Sequence, residues 1–261
     1  MRNLWMMIFL LAGPVWAQPR LDQFATSPSW SDEFNADGLP DPDKWSFQLG
    51  DNGWGNQELQ NYTDKNARVS HGILKITAAK EGNTYTSSRI NSRGKGDFLY
   101  GRVVARARLP HGRGTWPAIW MLYSQEAPGS TGWPDNGEID IMEHVGFDPG
   151  MIHCSIHSKA FNHIDHTQKT ATLLIPDAET AFHDYELRWT PEWIETRIDD
   201  KPVLLFQNTH KSWPEWPFDR PQHLLLNVAV GGGWGGQKGI DDSIWPQTME
   251  VDYVRVYPYK L

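Results

Sequence analysis

The chain has 261 residues, with 24 basic and 32 acidic side chains and a net charge of −8. That balance argues against nucleic acid or an anionic membrane as partner and leaves a neutral substrate open. Cys154 is the only cysteine, which excludes an intrachain disulfide, and a core of this size does not need one.

In chain order, Met1 to Ala17 reads as an export signal. Arg2 gives a positive start, Leu4 to Ala12 an apolar core, and Val15-Trp16-Ala17 a cleavage site. The apolar run is shorter than the roughly 20 residues that span a bilayer. The expected mature protein is therefore residues 18–261, secreted or periplasmic and without a membrane anchor. Loss of Arg2, the only charge in the leader, takes the net charge from −8 to −9.

Beyond a polar lead at 18–29, short alternating runs are broken by Gly, Pro, Asn and Asp, the pattern of an all-β antiparallel sandwich. Leu74, Ile76 and Ala78 share one face. Val103, Ala105, Ala107 and Leu109 alternate with Arg102, Val104, Arg106 and Arg108. Ile152, Cys154 and Ile156 alternate with His153, Ser155 and His157, which makes Cys154 a buried small apolar residue and not a nucleophile. Ile194, Thr196 and Ile198 lead into a hairpin turn at Asp199-Asp200. Leu224, Leu226, Val228 and Val230 alternate with Leu225, Asn227 and Ala229, and Val251, Tyr253, Arg255 and Tyr257 form a last strand. Asp177 to His183 is the one segment expected to be helical. No repeat or composition break divides the chain, so a single domain is expected.

Chemistry concentrates in Gly137-Glu138-Ile139-Asp140-Ile141-Met142-Glu143. Glu138 and Asp140 share a strand face, while Ile139 and Ile141 point into the core. Glu143 is at an odd offset from Glu138 and falls on the opposite face of a regular strand. A β-bulge at Ile141-Met142 returns it to the face of Glu138. Three carboxylates on one surface raise one another's pKa, so that one group keeps a proton at neutral pH. Retaining glycoside hydrolysis needs such a pair, one ionised to attack and one protonated to donate. The competing interpretation is a solvated acidic face, but the apolar opposite face and the 14 tryptophans of the chain favour a cleft. Tryptophans offer flat platforms for sugar rings. Trp116 and Trp120, four apart, lie on one strand face. His153 and His157 also share a face, but no third ligand stands at a convincing spacing, so catalytic zinc is not expected. Gly231 to Gly236 lacks the following Lys-Ser/Thr of a phosphate loop and is expected to form a flexible cleft rim carrying Trp234.

The E-x-D-x-x-E strand resembles the catalytic motif of glycoside hydrolase family 16, in particular its laminarinase-type endo-1,3-β-glucanases. The resemblance extends over nearly all of residues 28–258. It includes Ser31-Asp32-Glu33-Phe34, Trp54 to Thr63, Gly114 to Leu122, Asn227 to Gly232 and Val251 to Tyr257. It implies a curved, concanavalin A-like jelly roll with a concave substrate cleft. It further implies Glu138 as nucleophile, Glu143 as acid/base and Asp140 as their electrostatic and hydrogen-bonding support. Substrate contacts are expected from Asn56, Glu58, Arg89, Trp116, Trp120, His157 and Trp234, with His157 beside the acid/base. No catalytic cofactor is implied. One structural calcium is expected at Glu33, Asp252 and the backbone of Gly72, an oxygen-only set suited to Ca²⁺. Met142 favours the laminarinase branch over mixed-linkage lichenases, which usually lack the inserted residue, although agarase and carrageenase branches share it. The expected partner is a β-glucan and the expected state a monomer. A lectin on the same sandwich has no use for paired acids. A transglycosylase on the same residues differs in water access.

Overall fold

Alternating runs that each have one apolar face must bury that face against another sheet. In the computed structural model, which describes residues 20–260, they do so as two packed sheets. The expected leader lies outside the described residues. The first sheet has eight strands, in the order Lys169–Leu174, Met151–His157, Glu138–His144, Thr115–Tyr123, Gln222–Val230, Arg89–Asn91 and Ser46–Gln48, with Asp97–Phe98 paired to Gln222–Val230. The second has ten and is built around Gly101–Arg108 and Gln247–Tyr257. Pairing is antiparallel except between Gln60–Tyr62 and Thr84–Ser87. This is the expected jelly-roll sandwich.

The core lies between the sheets. Ile139, Ile141, Ile152, Cys154, Ile156, Leu224, Leu226 and Val228 cluster with Leu74, Ile76, Val103, Ala105, Leu187 and Val254. Each fully buried aliphatic side chain of this kind contributes about 1.5–3 kcal/mol. Cys154 is fully buried, as its alternation implies. Asp199 and Asp200 form the expected tight turn, with φ of 45° and 64°, the left-handed values that match strand twist.

The expected helix at Asp177–His183 is corrected to a single turn. The amides of Thr180 and Ala181 both donate to the Asp177 carbonyl, and the strand His183–Trp189 starts immediately afterwards. Pairing of His183 with Ala107 claims the backbone before a second turn can form. Among the described residues the helical pieces are the 3₁₀ turns Leu21–Gln23 and Gly53–Gly55 and the short helix Gly232–Gly235. None of these helices is long and apolar enough to cross a membrane.

Candidate active site

The strand Glu138–His144 carries the expected bulge. Against Thr115–Tyr123, Asp140 pairs with Trp120 and Met142 with Ile119, which leaves Ile141 without a partner. Against Met151–His157, Glu138 pairs with His157, Asp140 with Ser155 and Glu143 with His153. One extra residue restores the phase. Ile139, Ile141 and Met142 are fully buried, while Glu138, Asp140 and Glu143 all line one cleft of about 940 Å³. Gly137, just before the strand, has φ +84°, and a Cβ there would stand 2.7 Å from the Phe218 ring. Only glycine admits both this backbone and this approach.

An indole holds each of the two glutamates. Trp133 Nε1 donates to Glu138 Oε2 at 2.8 Å, and Trp116 Nε1 donates to Glu143 Oε1 at 3.0 Å. Burial, then the charge of Asp140, pushes Glu138 up to about 8, against the opposing pull of His157 and Trp133. Burial, then Glu138, pushes Glu143 up to about 7, opposed by the Trp116 bond. Asp140 is raised well above the carboxylate range by burial and by Glu143. Burial and mutual repulsion therefore keep at least one proton on the row at neutral pH. His157 acts on Glu143 through its charge, which opposes the upward push of burial, but its nearest carboxylates are the other two. Antiparallel register sets it opposite Glu138, with Nε2 3.2 Å from Asp140 Oδ2 and 4.0 Å from Glu138 Oε1. His153 is the residue across from Glu143.

The cleft walls form a connected polar and aromatic frame. The Arg89 guanidinium is sandwiched 4.8 Å from the Trp54 ring and 4.7 Å from the Trp120 ring, a doubly stacked cation. Trp120 Nε1 donates to Asn227 Oδ1 at 2.8 Å, Asn227 Nδ2 to the Tyr62 hydroxyl at 3.1 Å, and Tyr62 to Glu58 Oε2 at 3.3 Å. Glu58 also accepts from Gln60 at 2.7 Å and Asn56 at 3.2 Å, and burial raises its pKa. Both Asn56 and Glu58 line the cleft, but their polar groups are spent largely on each other and on this frame. The glycine-rich rim is the short helix Gly232–Gly235 rather than a loop. Gly233 N donates to the Asn56 carbonyl at 2.7 Å. Trp234 packs edge-on against Trp116 and His153, at 5.4 and 4.8 Å between ring centroids.

Glu33, Gly72 and Asp252 flank one stretch of the last strand, where Val254 pairs with Asp32 and Val251 with Leu74. Glu33 accepts from Arg255 at 2.9 and 2.7 Å, and Asp252 lies 3.3 Å from Arg106. The donor set suits calcium in type. An ion there would have to displace two guanidinium groups.

Trp133 was not singled out from the sequence, although Trp133-Pro134 stands five residues ahead of Glu138. Nor were Trp54, Asn227 or His163, all of which line the cleft. Trp54 and Asn227 lie inside motif segments, so a count of polar and aromatic residues facing Trp120 was the available signal.

The profile of glycosyl hydrolases family 16 matches residues 55–255. A β-glucanase of Rhodothermus marinus is 53% identical over 239 residues, covering 87% of this chain and 84% of that protein. The X-ray structure of the laminarinase from R. marinus matches with a TM-score of 0.87 at 50% identity, over 93% of this chain and 100% of that one. A variant of a non-specific endo-β-1,3(4)-glucanase, co-crystallised with 1,3-β-D-cellotriosyl-glucose, matches with a TM-score of 0.85 at 44% identity, over 91% and 95% of the two chains.

Proposed function

The chain belongs to glycosyl hydrolase family 16, and on that premise we propose that Glu138 and Glu143 cleave internal β-1,3-glucosidic bonds of β-glucans with retention. It is a glycoside hydrolase. The observation that carries the residue roles is the bulged strand, which sets Glu138 and Glu143 on one cleft face with an indole N–H on each.

Glu138 attacks the anomeric carbon in its ionised form, which the row reaches by giving up one shared proton. The charge then on Glu138 helps burial keep the proton on Glu143, which gives it to the leaving oxygen. Glu143, now ionised, then takes a proton from the water that opens the glycosyl-enzyme. Asp140, itself raised well above the carboxylate range by burial and by Glu143, adds its repulsion to the effect of burial on Glu138. The Trp133 N–H favours the ionised, attacking form of Glu138. Trp120, Trp116 and Trp234 offer aromatic faces and edges along the cleft to the C–H faces of the sugars. Arg89 keeps Trp54 and Trp120 apart at a fixed spacing. His157 acts on the nucleophile side.

Likeness to laminarinases supports β-1,3-glucan as the preferred polymer, and likeness to a β-1,3(4)-glucanase favours some cleavage of mixed-linkage glucan. A panel of laminarin, lichenan and agarose, with product sizes measured, tests this. Short oligosaccharides should appear early from laminarin and none from agarose. Cleavage of the galactan with laminarin intact would overturn the assignment. Binding of laminarin with no new reducing ends would instead favour a lectin.

The same reading has the leader removed after Ala17 and residues 18–261 working as one monomeric catalytic unit. Glu33, Asp252 and the Gly72 carbonyl would hold a structural calcium that takes no part in the reaction. Scanning calorimetry with and without chelator should show a lower melting temperature without calcium. No change would count against the site.

A further inference from the structure

Two carboxylates of the proposed catalytic row and one imidazole also form a set of metal-ligand type in the cleft. Glu138, Asp140 and His157 each bring one potential ligand atom within 4.8 Å of the others. The imidazole is 3.2 Å from Asp140 and 4.0 Å from Glu138. Ligand atoms about 2.0–2.2 Å from a zinc ion stand roughly 3.3–3.6 Å apart in a tetrahedral site. The first gap already fits, and a small turn of the Glu138 carboxylate closes the second.

A second observation points the same way. Asp140 is 2% exposed, yet the Oδ2 atom that faces His157 has no hydrogen-bond partner. His157 is buried too, and its Nδ1 is also without a partner, so the ring is free to present Nε2 as a lone pair. Buried polar atoms are rarely left alone, and each orphan needs an explanation. Charge adds a third reason. Among the described residues no lysine or arginine forms an ion pair with Glu138, Asp140 or Glu143. One divalent cation offsets two carboxylates at once.

We propose that Glu138, Asp140 and His157 form a binding site for a divalent first-row transition ion, and that its occupancy switches the nucleophile off. One imidazole with two carboxylates suits Zn²⁺ or Cu²⁺ and not the all-oxygen preference of Ca²⁺ or Mg²⁺. The bound ion takes the Glu138 oxygen needed for attack, and its open coordination position faces the cleft. Metal and glucan therefore exclude each other. This goes beyond the hydrolytic reading, because the ion binds without any turnover.

The test is titration calorimetry of chelator-treated protein with zinc chloride and no glycan. One site is expected. His157→Gln and Asp140→Asn, each checked for native melting, should each weaken it by at least about tenfold. His210→Gln, at an exposed histidine paired with Glu192, should leave it unchanged. In wild type, laminari-oligosaccharide should weaken zinc binding in proportion to its concentration. Zinc should inhibit laminarin hydrolysis reversibly, and chelator alone should leave the rate intact. Zinc affinity unchanged in both ligand variants, or lost in His210→Gln, would overturn the site. Loss of activity in chelator that zinc restores and added calcium does not would overturn its inhibitory role. If a ligand variant fails to fold, competition by oligosaccharide in wild type decides. If the protein proves inactive on β-1,3-glucan, calorimetry still judges the metal site by itself.

Discussion

Two indole N–H groups rest on two carboxyls to which the proposed mechanism gives opposite tasks, one to attack and one to donate. The Trp116 bond favours ionised Glu143, while donation needs the protonated form. The bond thus sets how far up in pH the acid survives. Trp116→Phe removes the N–H and keeps a ring against Trp234. Glu143 should then hold its proton to higher pH, so the alkaline limb of kcat/KM should move up by about 0.5–1 pH unit. A pH profile measures this separately from any change in KM, and an unmoved limb would mean that the contact does not tune the acid. Trp133→Phe acts on the other partner. Without its donor Glu138 should stay protonated to higher pH, so kcat at neutral pH should fall and the acidic limb should move upward. Equal pH profiles for wild type and this variant would remove Trp133 from the role of positioning residue.

On the scale of the strand, faces matter more than single contacts. Ile139, Ile141 and Met142 anchor the strand Glu138–His144 in the core, and the bulge lets three carboxylates share the cleft. Gly137 fixes where that strand begins. Gly137→Ala combines a left-handed backbone with a contact 2.7 Å from Phe218, and should cost about 2 kcal/mol or more. Urea unfolding would measure it, and kcat should fall with it because Glu138 is the next residue. A variant of unchanged stability and rate would show that the strand start is not fixed there. The faces and the bulge were legible because period-two alternation and the odd offset to Glu143 are local properties. The partner of His157 was not, since it depends on register between two strands, which the sequence does not state. The same limit hid Trp133, whose loop folds back onto Glu138, and the frame that takes up Glu58. At Asp177 the local sequence fits a helix, and only pairing of the following strand with Gly101–Arg108, a long-range contact, stops it after one turn.

For the molecule as a whole, the site works against stability. In the unfolded chain Glu138 and Glu143 lose protons near the ordinary 4.5, but folded they hold them up to about 8 and about 7. The folded state binds more protons across that window, so stability should decline as pH rises from about 4.5 to about 8. Glu138→Gln removes one such group. Its melting temperature should exceed that of wild type, and by more at pH 8 than at pH 5. Each 1 kcal/mol gained corresponds to about 2–4 °C at this size. A gap that does not grow with pH would mean the carboxylate row is not strained in the fold. In the proposed mechanism the two-sheet fold holds Glu138 and Glu143 on one cleft face for a double displacement. The most direct measurement of that claim is the anomeric configuration of the first product released from laminarin, followed by proton NMR before mutarotation. Cleavage through a glycosyl-enzyme on Glu138 should give the β-anomer first, with the α-anomer growing in later. An α-anomer at the earliest times would contradict it.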